Sequence, residues 1–323
     1  MTLLTVLTEA VDRPIRQTLR DIRRFGINSL LGREPSAEVK YGGHHAVTRS
    51  LLEGLQRLGA NFNYNPRNLE VVGDVVVVLA NVEALRQAIR WKRDGRIRRL
   101  LAGPNLMVFS NEHGGILGSS EIDVCLVPSD WVGTAYEEDM PALKGRIQTW
   151  WAGVDETYWK GPAKAAKVGR SVVIYQKNSP EHLCRAVETI VTRLGWLPRW
   201  IRYGQYSAEE YRRTLSESHF AIFLSQSESQ GIALAEAWAM DVPALVWNPK
   251  ELEYLGRTYS VASACPYLTP QTGCEWATTT VLEGLLVNVE EILSDCEPRV
   301  WMIKHMTDIY AAQAMIEIAA CNH

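Results

Sequence analysis

The chain has 323 residues, of which 46% are hydrophobic and 22% charged, and its formal net charge is −3 at pH 7. This length predicts two domains of about 100–200 residues each, and the charge gives no global basic field for nucleic acid. The longest apolar run, Val75–Ala80, is too short to cross a bilayer. The N-terminal segment lacks a signal-peptide pattern, and six cysteines without a CxxC pair favour reduced thiols in a cytoplasmic protein.

Short strand-like runs alternate with segments of helical period along the chain. The apolar runs that predict strands are Val75–Ala80, Leu106–Phe109, Val124–Val127, Val172–Tyr175, Phe220–Leu224 and Ala244–Trp247. The clearest amphipathic helix lies between Lys40 and Gly59. This alternation is typical of parallel sheets with right-handed crossovers, so the sequence predicts an α/β fold.

A change of composition divides the chain near residues 150–170, where Gly, Ala, Pro and Lys are frequent and no period is strong. We interpret this segment as the passage between two Rossmann-like domains, at 1–158 and 159–300. The tail Val300–Cys321 carries apolar residues at helical spacing and predicts one long helix.

Two basic clusters lie in the N-terminal half. Residues 11–33 hold six Arg against two Asp, and residues 86–99 hold seven basic side chains against one Asp. Solvated helix faces are the ordinary explanation of such clusters. The alternative is a surface for an anionic acceptor or for the headgroups of a membrane.

Several motifs of common enzymes are missing from the sequence. There is no GxGxxG after a predicted strand, no P-loop, and no HExxH, GxSxG or DxD motif. Only His44 and His45 are adjacent among the seven histidines, and a metal site needs further ligands. The sequence therefore predicts neither a metal site nor a dinucleotide cofactor.

The most informative stretch is Phe220–Asn248. A buried strand is followed by a polar turn, by Gly231 and by a helix that is apolar almost all round. The single charge of this helix, Glu236, lies eight residues after Glu228, and a buried carboxylate needs partners. Gly231 allows close approach to the backbone, and the helix N-terminus offers N–H groups to an anion. A capping box in the turn explains the same residues without a ligand.

The segment ESQGIALAEAWAMDVP, which begins at Glu228, resembles the E-x7-E signature of retaining GT-B glycosyltransferases of the family 4 type. Other segments resemble that family in the expected order, and they are Tyr41–His44, Leu106–His113, Ile122–Trp131, Trp151–Pro162 and Gly204–Tyr211. The resemblance covers about residues 38–250. It implies two Rossmann-like domains facing across a cleft, with the C-terminal helix at 301–323 returning to the N-terminal domain.

The resemblance also implies roles for individual residues. Glu236 would hold the ribose hydroxyls of a nucleotide-sugar donor and Glu228 the sugar hydroxyls. Lys177 would face the diphosphate, and His113 would lie near the reacting carbon. The other predicted donor contacts are Ser229, Gln230, Gly231, Gly204, Gly42 and Gly43.

The implied activity is transfer of a sugar, expected to be a hexose, from a nucleotide-sugar donor to an acceptor hydroxyl with retention of configuration. The donor is a substrate, and no cofactor or metal is expected. The acceptor is a glycan, a lipid-linked molecule or a small molecule, and a peripheral contact with an anionic membrane at its inner face stays open. The alternatives are an epimerase or phosphorylase on the same fold, or a non-catalytic nucleotide-sugar sensor or scaffold.

The chain departs from the family pattern at several positions. The family usually carries an Arg and a Lys after the first strand of the second domain, whereas this sequence has Lys177 alone. Asp241 stands where glycine is common. The glycine loop comes late, which leaves residues 1–37 as an addition or a rearranged first strand, and the segment at 255–276 predicts no role.

Overall fold

The computed structural model of the protein describes residues 3–11, 43–161 and 169–321. Its strands are β1 (Leu4–Leu7), β2 (Phe62–Tyr64), β3 (Val75–Ala80), β4 (Arg99–Asn105), β5 (Val124–Val127), β6 (Ile147–Thr149), β7 (Ser171–Lys177), β8 (Leu197–Arg202), β9 (Phe220–Ser225), β10 (Ala244–Trp247), β11 (Leu252–Tyr254), β12 (Arg257–Tyr259) and β13 (Gly273–Trp276). Its helices are α1 (Gly43–Arg57), α2 (Val82–Arg93), α3 (Glu112–Gly115), α4 (Asp130–Asp139), α5 (Glu181–Arg193), α6 (Ala208–Glu217), α7 (Ile232–Ala239), α8 (Thr279–Val287), α9 (Val289–Ile292), α10 (Pro298–His305) and α11 (Asp308–Ala320).

Two parallel sheets organise the described residues. The first has the strand order β2-β1-β3-β4-β5-β6 and the second the order β13-β10-β9-β7-β8. In each sheet the order reverses between two central strands, β1 and β3 in the first and β7 and β9 in the second. Both sheets are therefore doubly wound, and the α/β prediction is confirmed.

The central strands of each sheet are buried on both faces, which explains why they are continuous apolar runs. In β3 the side chains of Val75 and Val77 pack on one face, against α1 and α11, whereas Val76 and Val78 pack on the other, against α2 and α4. This alternation follows from the two-residue period of a strand.

The C-terminal helix returns to the first sheet, as predicted. An added Cβ at Gly54 of α1 would lie 2.1 Å from the carbonyl oxygen of Asp308, so glycine is what allows α1 and α11 to approach this closely. The Trp150 indole donates to the carbonyl of Ala311 at 2.8 Å. The predicted single helix is wrong in one respect, because the Thr307 side chain accepts the Tyr310 N–H and starts a second helix there.

The strand predicted at Leu106–Phe109 is also wrong. The strand in this region is β4, which ends at Asn105 and pairs with β3 and β5. Gly103 and Pro104 interrupt its apolar pattern, and proline cannot donate to a ladder, so the sequence indicated a strand only after them.

The segment at 255–276, for which no role was predicted, contributes β13 and half of the hairpin formed by β11 and β12. This hairpin crosses to the first domain. The Phe109 ring stacks on Tyr259 with centroids 4.5 Å apart, and the Tyr259 hydroxyl donates to Asp139 at 3.0 Å. Arg257 forms an ion pair with Asp139 as well. The hairpin therefore covers one side of the space between the sheets.

Much of the basic cluster at 86–99 has internal partners. Lys92 pairs with Asp123 at 2.8 Å, Arg93 with Glu121 at 2.9 Å, and Arg96 donates to the Leu69 carbonyl. These contacts favour a structural role for the cluster. The cluster at 11–33 lies outside the described residues except for Val11, and none of the described helices is both long and apolar enough to span a bilayer.

Candidate functional site

A cavity of about 260 Å³ lies between the two sheets, at the carboxyl ends of β7 and β9. It is lined from the first domain by Ala46, Val47, Asn105 and Pro128, and from the second by Tyr175, Lys177, Tyr203, Tyr206, Glu228, Ser229, Gln230, Gly231, Ile232, Ala233 and Glu236. The strand order of the second sheet reverses at this point, which is where doubly wound folds bind ligands. The structure thus brings together Lys177, Glu228, Gly231 and Glu236, as the sequence predicted.

Lys177 and Glu228 contact each other directly. The Lys177 ammonium lies 2.7 Å from Oε2 of Glu228, and their side chains are 22% and 13% exposed. Ser225 Oγ donates to the other carboxylate oxygen at 3.0 Å. The ammonium also lies 4.8 Å from the centroid of the Tyr203 ring, so a carboxylate and an aromatic ring of the cavity both hold it in place.

Both domains hold the backbone of Glu228. Its N–H donates to the Ser263 carbonyl at 2.9 Å, and its carbonyl accepts from the Trp131 indole at 2.9 Å. Trp131 belongs to α4 of the first domain. The turn that carries the carboxylate is therefore fixed before any ligand binds.

Gly231 precedes α7 in a left-handed conformation, with φ of 82° and ψ of 53°. This conformation favours glycine, and an added Cβ would lie 3.1 Å from Cδ1 of Leu234. The first residues of α7, Ile232 and Ala233, line the cavity. The free N–H groups and the positive end of the helix dipole therefore lie at the cavity, where they favour an anion.

Glu236 is only 2% exposed and lines the cavity together with Tyr175, which is buried, and Tyr206, which is half-buried. Burial, together with the negative charge of Glu236, raises the pKa of Tyr206, and burial raises that of Tyr175. Both phenols therefore keep their protons at neutral pH, and their hydroxyl oxygens lie 3.4 Å apart. Carboxylates and phenols of this kind suit a ligand rich in hydroxyl groups.

Gln230 is predicted to contact a donor, but the structure gives its side chain another partner. Its amide oxygen accepts from the Ala152 N–H at 2.9 Å, and its amide nitrogen donates to the Ala152 carbonyl at 2.7 Å. The side chain is 5% exposed. Gln230 therefore fixes the turn to the segment between the domains, and no side chain caps the start of α7 among the described residues, so the alternative of a capping box in this turn is not supported.

Gln230→Ala is expected to destabilise the protein, because both backbone groups of Ala152 lose a buried partner. Each such loss costs about 1–3 kcal/mol. Urea unfolding measures the effect, and Gln148→Ala is the matched control because Gln148 is exposed and bonds only its neighbour. Equal unfolding midpoints for both variants and the parent would show that the hydrogen bonds of Gln230 to Ala152 do not stabilise the fold.

Five other residues were predicted to belong to the site. Ser229 lines the cavity, whereas Gly204 lies in the turn beside Tyr203 and is not among the lining residues. Gly43 begins α1, and Gly42 lies outside the described residues. His113 is exposed, with φ of 52°, in the short helix α3 and is not among the lining residues, so the structure does not bring it to the cavity.

Asn105 is a cavity residue that the sequence analysis missed. It ends β4, and its amide nitrogen is buried without a hydrogen-bond partner among the described residues. The sequence predicts a strand at Leu106–Phe109, which begins after Asn105. The polar side chain expected at the end of that strand is therefore His113 and not Asn105. Asn105 could have been found as the first polar residue after the Arg99–Pro104 segment, because it lies at the carboxyl end of β4, where ligands bind in such folds.

No group of three or more His, Cys, Asp or Glu side chains is arranged to hold a metal ion within the described parts of the chain. Within the same residues, Lys177 is the only cavity-lining side chain that carries a positive charge. Any anion in the cavity would therefore depend on Lys177 and on the N-terminus of α7.

No protein-family model matches the chain, and no curated protein matches its sequence. Solved structures are similar to it in fold. A glycosyltransferase from Rickettsia africae has a TM-score of 0.59 at 10% identity, with 98% of this chain and 97% of that one covered. A lipopolysaccharide outer core galactosyltransferase has a TM-score of 0.55 at 12% identity and 98% coverage of both chains.

A glycosyltransferase involved in avilamycin A biosynthesis is similar as well, with a TM-score of 0.54 at 12% identity and coverage of 99% of this chain and 97% of that one. Together these likenesses show the fold, which is GT-B with two Rossmann-like domains.

Proposed function

We propose that the protein is a glycosyltransferase, which moves a sugar from a nucleotide-sugar donor to the hydroxyl group of an acceptor. One observation carries the proposal. A lysine, two carboxylates and a helix N-terminus converge on one cavity at the switch point of the second sheet. This set combines donors for a diphosphate with acceptors for hydroxyl groups, and a nucleotide sugar carries both.

Glycosyl transfer requires charge stabilisation at the leaving group. As the anomeric carbon gains oxocarbenium character, negative charge develops on the departing diphosphate. Lys177 and the first N–H groups of α7 would bind that charge. Glu236 would hold the ribose hydroxyls and Glu228 those of the sugar, as the resemblance implies.

We further propose that the transfer retains the anomeric configuration and that the donor sugar is a hexose, as in the family 4 glycosyltransferases that the sequence resembles. The turn around Glu228 is fixed from both domains, and the hairpin of β11 and β12 holds the two domains together through Phe109 and Asp139. Both features favour exclusion of water, which would otherwise hydrolyse the donor. The six cysteines are free, and on this ground we propose a cytoplasmic location.

The proposal is tested by a thermal-shift panel of UDP, GDP, ADP, CDP and dTDP, followed by product analysis with the matching nucleotide sugar. A ligand at 100 times its dissociation constant should stabilise the protein by about 2.7 kcal/mol. We expect one base to stand out and a glycosylated product to form only with an acceptor. No stabilisation by any nucleoside diphosphate would contradict the proposal.

A non-catalytic nucleotide-sugar sensor is the second candidate. It is favoured because Lys177, the one cation among the described residues that line the cavity, is already paired with Glu228. Nucleotide binding without turnover over a broad acceptor panel would identify a sensor, and conversion of the donor sugar without any acceptor would identify an epimerase.

Removal of divalent ions is expected to leave transfer intact, because the described cavity offers a lysine and N–H groups in place of a metal. Rates measured with and without EDTA, after dialysis, test this expectation. An absolute requirement for a divalent ion would show that the leaving diphosphate binds through a metal instead.

Asn105→Ala is expected to lower kcat/KM for the intact donor about 2- to 12-fold while sparing nucleoside diphosphate affinity. The loss corresponds to one neutral hydrogen bond of about 0.5–1.5 kcal/mol, made from the first domain to the sugar or acceptor. Steady-state kinetics and calorimetry separate the two quantities. An unchanged kcat/KM would show that the Asn105 amide does not contact either substrate.

A further inference from the structure

A second cavity, of about 530 Å³, lies away from the site described above. We call it the Arg99 groove. It runs between α11 and the amino ends of β4, β5 and β6, whereas the proposed donor cavity lies at the carboxyl ends of the second sheet. Its walls include Arg99, Arg146, Gln148, Trp151, Gln313 and Glu317.

Arg99 is the unusual member of this groove. It is 6% exposed, and its guanidinium donates from Nη2 to the Ile318 carbonyl at 3.1 Å. The Nε–H is buried without a partner, and no carboxylate lies within 4 Å among the residues described. A buried charge is costly unless it is paired and hydrogen-bonded, so this guanidinium has unused capacity for an anion.

Arg146 adds a second positive charge to the same wall. Its donors all go to backbone carbonyls, those of Gly118, Ser119, Ile122 and Ala142. Within the described residues it too lacks a carboxylate at ion-pair distance.

The acidic residues of the groove do not compensate for these charges. Asp123 is bound by the Lys92 ammonium at 2.8 Å, and Glu317 is exposed and accepts from Gln313 at 2.9 Å. Among the described residues, the groove therefore contains two arginines without a carboxylate partner and one exposed carboxylate, that of Glu317.

We propose that the Arg99 groove binds a small organic oxyanion, through a carboxylate or phosphate group held by the Arg99 guanidinium. The planar guanidinium matches both oxyanions, which it binds in a forked geometry. Polar side chains and the rings of Trp151 and Tyr310 line the rest of the groove and surround the body of the ligand. This site is independent of the proposed glycosyl transfer.

The test uses inorganic phosphate, D-glucuronate and D-glucose as probes, in thermal-shift and calorimetric titrations of the whole protein in a low-salt buffer. We expect one or both oxyanions to bind and neutral glucose to have no effect. A response to phosphate alone or to glucuronate alone identifies which oxyanion the groove takes.

Variants locate the binding. Arg99→Gln is expected to weaken it about 10- to 150-fold, the loss for hydrogen bonds to a charged group. Gln148→Glu adds a carboxylate to the wall and should weaken binding while leaving Arg99 and its helix contact in place, which keeps the test valid if Arg99→Gln does not fold. Arg93→Gln, at an exposed arginine outside the groove, should bind like the parent.

Lys177→Ala separates the Arg99 groove from the donor cavity, and it should retain the oxyanion response. Loss of the response in Lys177→Ala, together with retention in Gln148→Glu, would place the anion in the donor cavity and overturn the proposal. Absence of any oxyanion binding by the parent would overturn it equally.

Discussion

Lys177→Ala is expected to slow sugar transfer by about 100- to 1000-fold, the range found when one preorganised donor to a developing oxyanion is removed. Lys177 is the single cation among the described residues that line the cavity, so no neighbouring side chain can replace it at the diphosphate. Nucleoside diphosphate binding should weaken as well. Initial rates and calorimetry with the diphosphate selected by the panel measure both effects.

The folded state should tolerate this change. Glu228 keeps its bond from Ser225 at 3.0 Å, and loss of a partly exposed ion pair costs about 1 kcal/mol or less. Lys250→Ala is the matched control, because Lys250 forms an ion pair of 2.6 Å with Glu275 outside the cavity and is 64% exposed. Diphosphate affinity and rates equal to those of the control would exclude Lys177 from the site.

Glu228→Gln and Glu236→Gln are expected to give a crossed pattern. Glu236→Gln should weaken nucleoside diphosphate binding by roughly 5- to 150-fold, as expected for loss of a charged acceptor worth about 1–3 kcal/mol to the ribose. Glu228→Gln should reduce turnover of the intact donor, because the carboxylate that we propose to contact the sugar is lost. Calorimetry with the diphosphate and steady-state kinetics with the donor measure the two effects.

The ion pair between Lys177 and Glu228 in the free protein also predicts the direction in which Glu228→Gln changes the affinity for the diphosphate. Glu228 lies 2.7 Å from the Lys177 ammonium, so it would compete for this cation with the diphosphate of the proposed donor. Removing its charge should therefore preserve diphosphate affinity or raise it by up to about 5-fold, the value of a partly exposed pair. If both variants bind and turn over like the parent and only melt earlier, the two glutamates serve the fold, and the interpretation of the E-x7-E spacing is wrong.

The second domain was the easier half to predict because its sequence signals are local. Phe220–Leu224 is a continuous apolar run, and Glu236 is a lone charge in an apolar helix, so both the strand and the candidate site stand out in one short stretch. β8 gave no comparable signal, since it is an edge strand whose side chains at Leu197 and Arg199 are exposed. The side-chain pattern of β8 follows from its position at the edge of the sheet, and this position depends on how the other strands are ordered.

The remaining errors come from contacts between distant segments. Gln230 resembles a ligand-binding residue in the sequence, and only the approach of Ala152, 78 positions away, shows that its amide is occupied. The hairpin turn is Leu255-Gly256, with φ of 48° and 77°, whereas such turns usually carry Asn-Gly or Asp-Gly. A leucine at that position gives no turn signal, so the hairpin that connects the second domain to the first could not be recognised.

Amide hydrogen exchange of the parent protein, with and without the nucleoside diphosphate selected by the panel, tests the central claim most directly. The account predicts slower exchange at 176–179 and 228–236 when the ligand is bound, because the diphosphate contacts the end of β7 and the N-terminus of α7. Saturating ligand that leaves both segments unchanged, or that protects only segments remote from the cavity, would contradict it.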